Sequence, residues 1–397
     1  MAQSAVGDPV SPAAKSNPYP AYAHLRATQP IHCVVLPNGR RRWLITRYAD
    51  AERALCDPRL VKARPVDDLP DEVRPLVTSL ISTDPPDHTR LRALVRKAFS
   101  PRLVERLRPR IQQIADELLD AVMPAGRMDL IDDYALPLPI MVIAELLGVA
   151  SADSAQFRAW SNAFVADEPF SIGEPVPAWR RTALGEFSDY LRALFECKRA
   201  DPQDDLVTGL VLAREAGDAL SGDELLSTVA VLIVAGHETT VNLIGNGMRA
   251  LLAHPDQLRS LIRDPRLIAS AVEELLRYTG PSETTTFRYA GTDLQYNGVT
   301  IPQGDQVVIV LASANRDETR FARADQLDVT RTGNHHLGFG KGIHFCLGAS
   351  LARIEGQIAI SRLIHRMPDL RPAIPLDKLR WRPSMIMRGL PVLFTTR

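Results

Sequence analysis

The chain has 397 residues, 45% of them hydrophobic and 24% charged, which is enough apolar mass for a substantial buried core. Its 47 basic and 47 acidic residues cancel, so no global charge points to nucleic acid or to an anionic membrane surface. Four cysteines (Cys33, Cys56, Cys197, Cys346) with no CxxC pair exclude a disulfide framework. Residues 1–20 hold no apolar stretch of signal-peptide length, and the longest apolar run, Val229 to Ala235, falls far short of the ~20 residues of a spanning helix. These features predict a cytoplasmic protein with no membrane and no nucleic-acid partner.

Residues 1–17 read as a flexible tail. Ile31–Leu36 and Arg41–Thr46 are strand-like runs around Pro37-Asn38-Gly39-Arg40, a hairpin signal. Apolar residues at helical spacing mark Leu103–Val122, Leu138–Leu147, Ala183–Arg199 and Leu267–Tyr278. The longest helix begins at Ser221, where Ser221 and Glu224 can form a capping box, and runs to about Ala253 before His254-Pro255 stops it. At ~1.5 Å per residue it spans roughly 48 Å. A second β region lies between Asp293 and Val310, with turns at Asn297-Gly298 and Pro302-Gln303-Gly304. No repeat or linker divides the chain. The prediction is a mainly α protein with small β segments (α+β), with residues 18–397 as a single domain.

Three short elements carry chemistry. Residues 339–348 read Phe-Gly-Lys-Gly-Ile-His-Phe-Cys-Leu-Gly. Gly340 and Gly342 permit a tight loop, and the periodic run Leu347–Leu363 sets Cys346 at a helix N-terminus, where amides and the helix dipole favour a thiolate. Midway along the long helix, Ala235-Gly236-His237-Glu238-Thr239-Thr240 includes a glycine that costs about 1 kcal/mol in a helix interior and so needs a reason. Finally, Glu274-Leu275-Leu276-Arg277 puts an acid and a base on one helix face.

In these elements, and along nearly its full length, the chain resembles the cytochromes P450. The resemblance implies a haem-thiolate oxidoreductase with heme b (iron protoporphyrin IX) and Cys346 as the ligand to iron. It implies that Ala235 and Gly236 face the haem and leave room for dioxygen, and that Phe339 and Gly348 contact it. Glu238 and Thr239 would relay the two protons that oxygen reduction consumes; His237 would be a bystander. The propionates would meet His88 and Arg92 (within His-Thr-Arg-Leu-Arg), Arg288 and His344. The Glu-x-x-Arg pair would clamp the segment holding the cysteine loop. Its usual third partner, an Arg, falls on Gln326, so the triad would be either incomplete or completed elsewhere, with Arg323 as a candidate.

Electrons would pass from NAD(P)H through a reductase and a ferredoxin docking on the basic run Arg90, Arg92, Arg96, Lys97, Arg102, Arg106, Arg108 and Arg110. Substrate contacts would come from Lys62–Leu80, Phe164–Trp179, Val231, Leu232, Ala235, Glu283–Phe287 and Ser384–Met387. The first two segments carry Asp67, Asp68, Asp71 and Glu72, and Asp167, Glu168 and Glu174, which read first as solvated loop charges and, if both segments close over one pocket, would suit a cation on an apolar substrate. The overall pattern resembles actinomycete monooxygenases of secondary metabolism that oxidise polyketides, macrolides, terpenoids or steroid-like compounds, acting as monomers. A non-catalytic haem protein that docks partners, and a peroxide-driven peroxygenase, are the alternatives. Intact Glu238 and Thr239 argue against the first, and the second would not need that relay.

Overall fold

The computed structural model describes residues 14–62, 76, 79–96, 99, 101–149, 154–165, 176–215 and 220–396. They pack as two units interleaved along the sequence: Met1–Val61, Ala115–Ala135 and Thr239–Arg397 form the first, Lys62–Ile114 and Leu136–Glu238 the second. In the first unit α1 (Tyr19–Thr28) leads to β1 (Ile31–Val35), β2 (Arg41–Ile45), α2 (Tyr48–Cys56) and β3 (Leu60–Val61). The second unit opens with α3 (Asp87–Arg96) and α4 (Pro101–Arg106). Helix α5 (Arg108–Val122) runs from the second unit into the first, where β4 (Arg127–Asp129) follows. Helices α6 (Pro137–Leu147), α7 (Ser154–Val165), α8 (Ala178–Ala200) and α9 (Leu206–Glu215) belong to the second. Helix α10 (Gly222–Ala253) starts in the second unit and ends in the first. The first unit then contains α11 (Pro255–Arg263), α12 (Ile268–Thr279), β5 (Arg288–Ala290), β6 (Leu294–Tyr296), β7 (Val299–Ile301) and β8 (Gln306–Ile309). It ends with α13 (Leu311–Ala314), α14 (Ala349–Arg366), β9 (Arg371–Pro372) and β10 (Phe394–Thr396).

The early hairpin forms in the predicted place, with Ile31 opposite Ile45 and Val35 opposite Arg41. Gly39 sits at φ +77°, a left-handed turn position that glycine adopts without steric cost. The second β region divides between two sheets. Asn297 and Gly298, both at positive φ, close the β6–β7 hairpin, whereas β8 pairs in parallel with β2. The five-stranded sheet has the order β1-β2-β8-β5-β3. Its central strands explain the apolar run at 307–310, because both faces are covered: Ile45, Val307 and Ile309 join one buried cluster and Leu44, Val308 and Val310 another.

The capping box also forms: the Ser221 amide donates to Glu224 at 2.8 Å and the Glu224 amide to the Ser221 hydroxyl at 3.1 Å. By length and composition α10 could cross a membrane, which its short continuous apolar run does not suggest, but 83% of its most apolar stretch is buried in protein. The helix expected over Leu103–Val122 breaks at Leu107, because Pro109 has no amide to continue the ladder and its ring would strike the carbonyl of Glu105. Lys15, inside the stretch read as a tail, is 3% exposed and ion-paired with Glu283.

Candidate active site

The cysteine loop is built in the first unit. Gly340 (φ +69°) and Gly342 (φ +73°) reverse the chain, and the Cys346 amide closes the loop by donating to the Phe339 carbonyl at 2.9 Å. A side chain on Gly342 would meet the Leu55 carbonyl at 2.8 Å, so this glycine lets the loop lie against the last turn of α2. Cys346 is exposed and stands two residues before Gly348, the N-cap of α14. The open amide end of the helix therefore follows the thiol closely, which favours its ionised form. Cys33 is half-buried and Cys56 and Cys197 are exposed; the last two lie in the closing turns of α2 and α8.

Two adjacent acids of α12 hold the loop from below. Glu274, with no exposed surface, takes two hydrogen bonds from Arg277, at 2.7 and 2.8 Å. Arg277 also donates to the carbonyls of Asn315, Ala324 and Gln326. The third member of the triad is Arg331, whose Nε reaches Glu274 at 3.0 Å. The expectation for this triad is therefore corrected. Gln326 is exposed and contributes only its carbonyl, while Arg323 is 72% exposed and points to Asp328. Glu273, which the motif leaves open, grips the chain on either side of the loop. His336 Nδ1 accepts from the Gly338 amide, so Nε2 carries the proton and donates to Glu273 at 3.1 Å. Arg353 of α14 donates twice to Glu273 and stacks its guanidinium 4.5 Å from the Phe339 ring centre. Burial would raise the Glu273 carboxyl, but His336 and Arg353 outweigh it and hold it at about 2.

On α10 the run Val229–Val234 is buried, then Ala235 is exposed and Gly236 and Thr239 half-buried before burial resumes at Thr240. These three residues lie within about one turn, so the helix presents one accessible notch in an otherwise buried length. A side chain on Gly236 would meet the end of the Ile143 side chain of α6 at 2.8 Å, so this glycine also serves close helix packing. Glu238 is 5% exposed. His237, expected to be a bystander, has no exposed surface and is hydrogen-bonded at both ring nitrogens, to the Ile233 carbonyl and to Ser161. In the first unit, Glu355 of α14 is 1% exposed beside Thr240, and neither of its oxygens has a full hydrogen bond. Burial pushes its carboxyl up to about 8, with Thr240 pulling slightly downward. Within a periodic helix this acid is easily passed over, although its place between Ile354 and Ile358 is a signal of burial.

Among the cationic candidates, His88 and Arg92 share one face of α3. Burial and the neighbouring Arg92 charge lower the His88 pKa, with Asp84 opposing. Arg288 is 4% exposed on β5, and His344 ends the single turn Gly342–His344.

The cytochrome P450 family model matches residues 161–367. The vitamin D(3) 25-hydroxylase of Pseudonocardia autotrophica is 47% identical over 94% of this chain and 92% of its own length. The chain belongs to the cytochrome P450 family. A second relative, the mycinamicin IV hydroxylase/epoxidase of Micromonospora griseorubida, is 43% identical over 94% of both chains. Among solved structures, the cytochrome P450 PksS of the Bacillus subtilis bacillaene polyketide synthase superposes with a TM-score of 0.90 at 41% identity, covering 98% of this chain and 99% of that one. The protein is a P450 monooxygenase with the P450 fold.

Within this P450, several expected contacts are placed differently. Glu283 is buried and bound to Lys15, Tyr22 and Arg388, so it is a structural acid and not a substrate contact. Of the basic run, Arg90 is held by Glu224, Arg108 by Glu105 and Arg110 by Glu145, leaving Arg96, Arg102 and Arg106 as its exposed charges. Lys97 lies outside the described residues, as do Asp67, Asp68, Asp71, Glu72, Asp167, Glu168 and Glu174.

Proposed function

We propose that this P450 hydroxylates or epoxidises a large, mainly apolar secondary metabolite of the macrolide, polyketide or steroid-like class. Heme b would be held through Cys346, and electrons would come from NAD(P)H through a ferredoxin and its reductase. The observation that carries this reading is the exposed Cys346 thiol at the mouth of a glycine-bent loop, fixed by Glu273 and Glu274 and followed at once by a helix N-terminus. By their chemistry, the Cys346 thiol, the Phe339 ring, Gly348, Arg288 and His344 of the first unit would suit haem, as would His88, Arg92 and the small residues Ala235 and Gly236 of the second.

Bound haem supplies the oxygen chemistry. The chain's own residues hold, shield and deliver protons. Arg92 and Arg288 would pair with propionates as planar forks, and His88 and His344 would donate single hydrogen bonds. Thr239, on the accessible notch, would hold a proton at its hydroxyl, and buried Glu238 next to it would replenish that proton from solvent. Val231 and Leu232 would give the substrate an apolar wall. The substrate classes follow those named for the mycinamicin and vitamin D(3) relatives and for the polyketide enzyme PksS. The enzyme would act in the cytoplasm as a monomer.

The test is a spectral titration of the haem-loaded protein with macrolides, their macrolactone aglycones, long-chain fatty acids and vitamin D3. A shift of the Soret band to shorter wavelength with a macrolide or secosteroid, followed by an oxygenated product on adding NAD(P)H, ferredoxin and reductase, is the expected result. Tight binding of fatty acids alone would overturn the substrate class.

A further inference from the structure

We infer that Ser161 and His237 form a positioning device that ties α7 to the turn of α10 carrying Glu238. His237 Nδ1 lies 2.7 Å from the Ile233 carbonyl one turn back, and its Nε2 lies 3.0 Å from the Ser161 hydroxyl. A carbonyl can only accept, so Nδ1 carries the proton and Nε2 accepts from Ser161. The chain itself thus fixes the tautomer. His237 has no exposed surface and Ser161 has 1%, so loss of either group would leave the other as a buried polar atom without this partner.

Helix α7 is also tied by aromatic rings. Trp160 stacks on Phe187 of α8 with ring centres 5.1 Å apart and planes at 20°, and Phe157 and Tyr190 pack edge-on or tilted around them. Helices α7 and α8 are thus joined through apolar surface, and the join from α7 to α10 includes a directional hydrogen bond. That bond arrives at the residue immediately before the buried acid Glu238, in the turn where Gly236 already brings α10 tight against Ile143 of α6. A shift of α7 would pull on His237, and through the helix backbone it would change where the Glu238 carboxylate and the Thr239 hydroxyl point. His237 is therefore a positioning residue, acting through its neighbour.

The inference rests on the haem monooxygenase reading for what Glu238 does, but not for the bond itself, and the experiment separates the two. Amide hydrogen exchange of residues 157–165 is measured in the haem-loaded protein for wild type, Ser161→Ala, Ser161→Thr, His237→Phe and the double variant Ser161→Ala/His237→Phe. The rate at which each dithionite-reduced protein reoxidises in air-saturated buffer is measured alongside. Ser161→Ala and His237→Phe are each expected to speed exchange and reoxidation by about tenfold, with the double variant no worse than either single one. Ser161→Thr keeps a hydroxyl and should retain protection and slow reoxidation. Wild-type exchange in Ser161→Ala, or additive losses in the double variant, would overturn the tie. Faster exchange with unchanged reoxidation would overturn the positioning role. If the wild-type protein lacked a thiolate–carbon monoxide band, the haem reading would fall, while faster exchange in Ser161→Ala would still establish the bond.

Discussion

Arg331 donates to Glu274 at 3.0 Å from 57 residues further along the chain, and Arg277 grips the same carboxylate from one turn away. An isolated carboxylate in so dry a position is costly, and two guanidiniums sharing it offset the cost while fixing the segment that leads to the cysteine loop. Arg331→Ala should lower unfolding stability by about 3 kcal/mol and weaken haem retention, because it strips a buried ion of a partner. Gln326→Arg, on exposed surface, should stay within about 0.5 kcal/mol of wild type. Thermal melts of both variants check this. A wild-type melt for Arg331→Ala would place the structural weight elsewhere.

A second prediction concerns Glu355, whose carboxyl is raised from the ordinary 4.5 to about 8. Below pH 4.5 the group is protonated in both folded and unfolded chains, and its contribution to stability is fully present. As pH rises from 4.5 through about 8, the unfolded chain ionises readily while the folded one must hold a proton or bury a charge, so that contribution is lost. Every tenfold difference in proton affinity between the two states corresponds to about 1.4 kcal/mol. Glu355→Gln should therefore flatten the fall of stability between pH 5 and 8. Parallel denaturant curves for variant and wild type across that range would contradict the assignment.

Proton delivery gives a third. Thr239→Ala should bind haem and substrate nearly as wild type does, yet divert NAD(P)H electrons into hydrogen peroxide, because an accessible hydroxyl on the α10 notch is gone. Glu238→Gln should instead slow turnover by on the order of 10²-fold. Peroxide and product are counted per NAD(P)H consumed. Full coupling to product in Thr239→Ala would remove it from the relay.

The electron partner gives a fourth. Beside Cys346, Ile343 is 49% and Phe345 40% exposed, with Lys341 between Gly340 and Gly342 and its ammonium paired to Glu52. Large exposed apolar side chains beside a functional loop suit a contact that forms and releases. Phe345→Ala should raise the apparent KM for ferredoxin about tenfold with little change in the carbon monoxide spectrum. Arg102→Glu/Arg106→Glu should slow association and remove much of its salt dependence. Unchanged ferredoxin kinetics in both would move the docking face.

Local signals made much of this legible in the sequence. Asn38-Gly39 and Asn297-Gly298 fixed two hairpins, Ser221 and Glu224 fixed the start of α10, and the spacing of glycines around Cys346 fixed the loop. What stayed hidden depends on partners distant in sequence. Arg323 looks locally like the cation to complete the Glu274 triad, whereas the fold brings in Arg331. Glu273 shows its role only once His336 and Arg353 are next to it. The packing of Gly236 against Ile143 has no local sign either. Pro109 is the local sign of the break at Leu107, and the apolar period runs across it on either side.

The most direct measurement is the carbon monoxide difference spectrum of the reduced protein. Wild type should show the red-shifted Soret band of thiolate ligation, and Cys346→Ser should lose it while Cys33→Ser, Cys56→Ser and Cys197→Ser keep it. An unchanged band in Cys346→Ser, or its loss in one of the other three instead, would show that the iron is held by another residue.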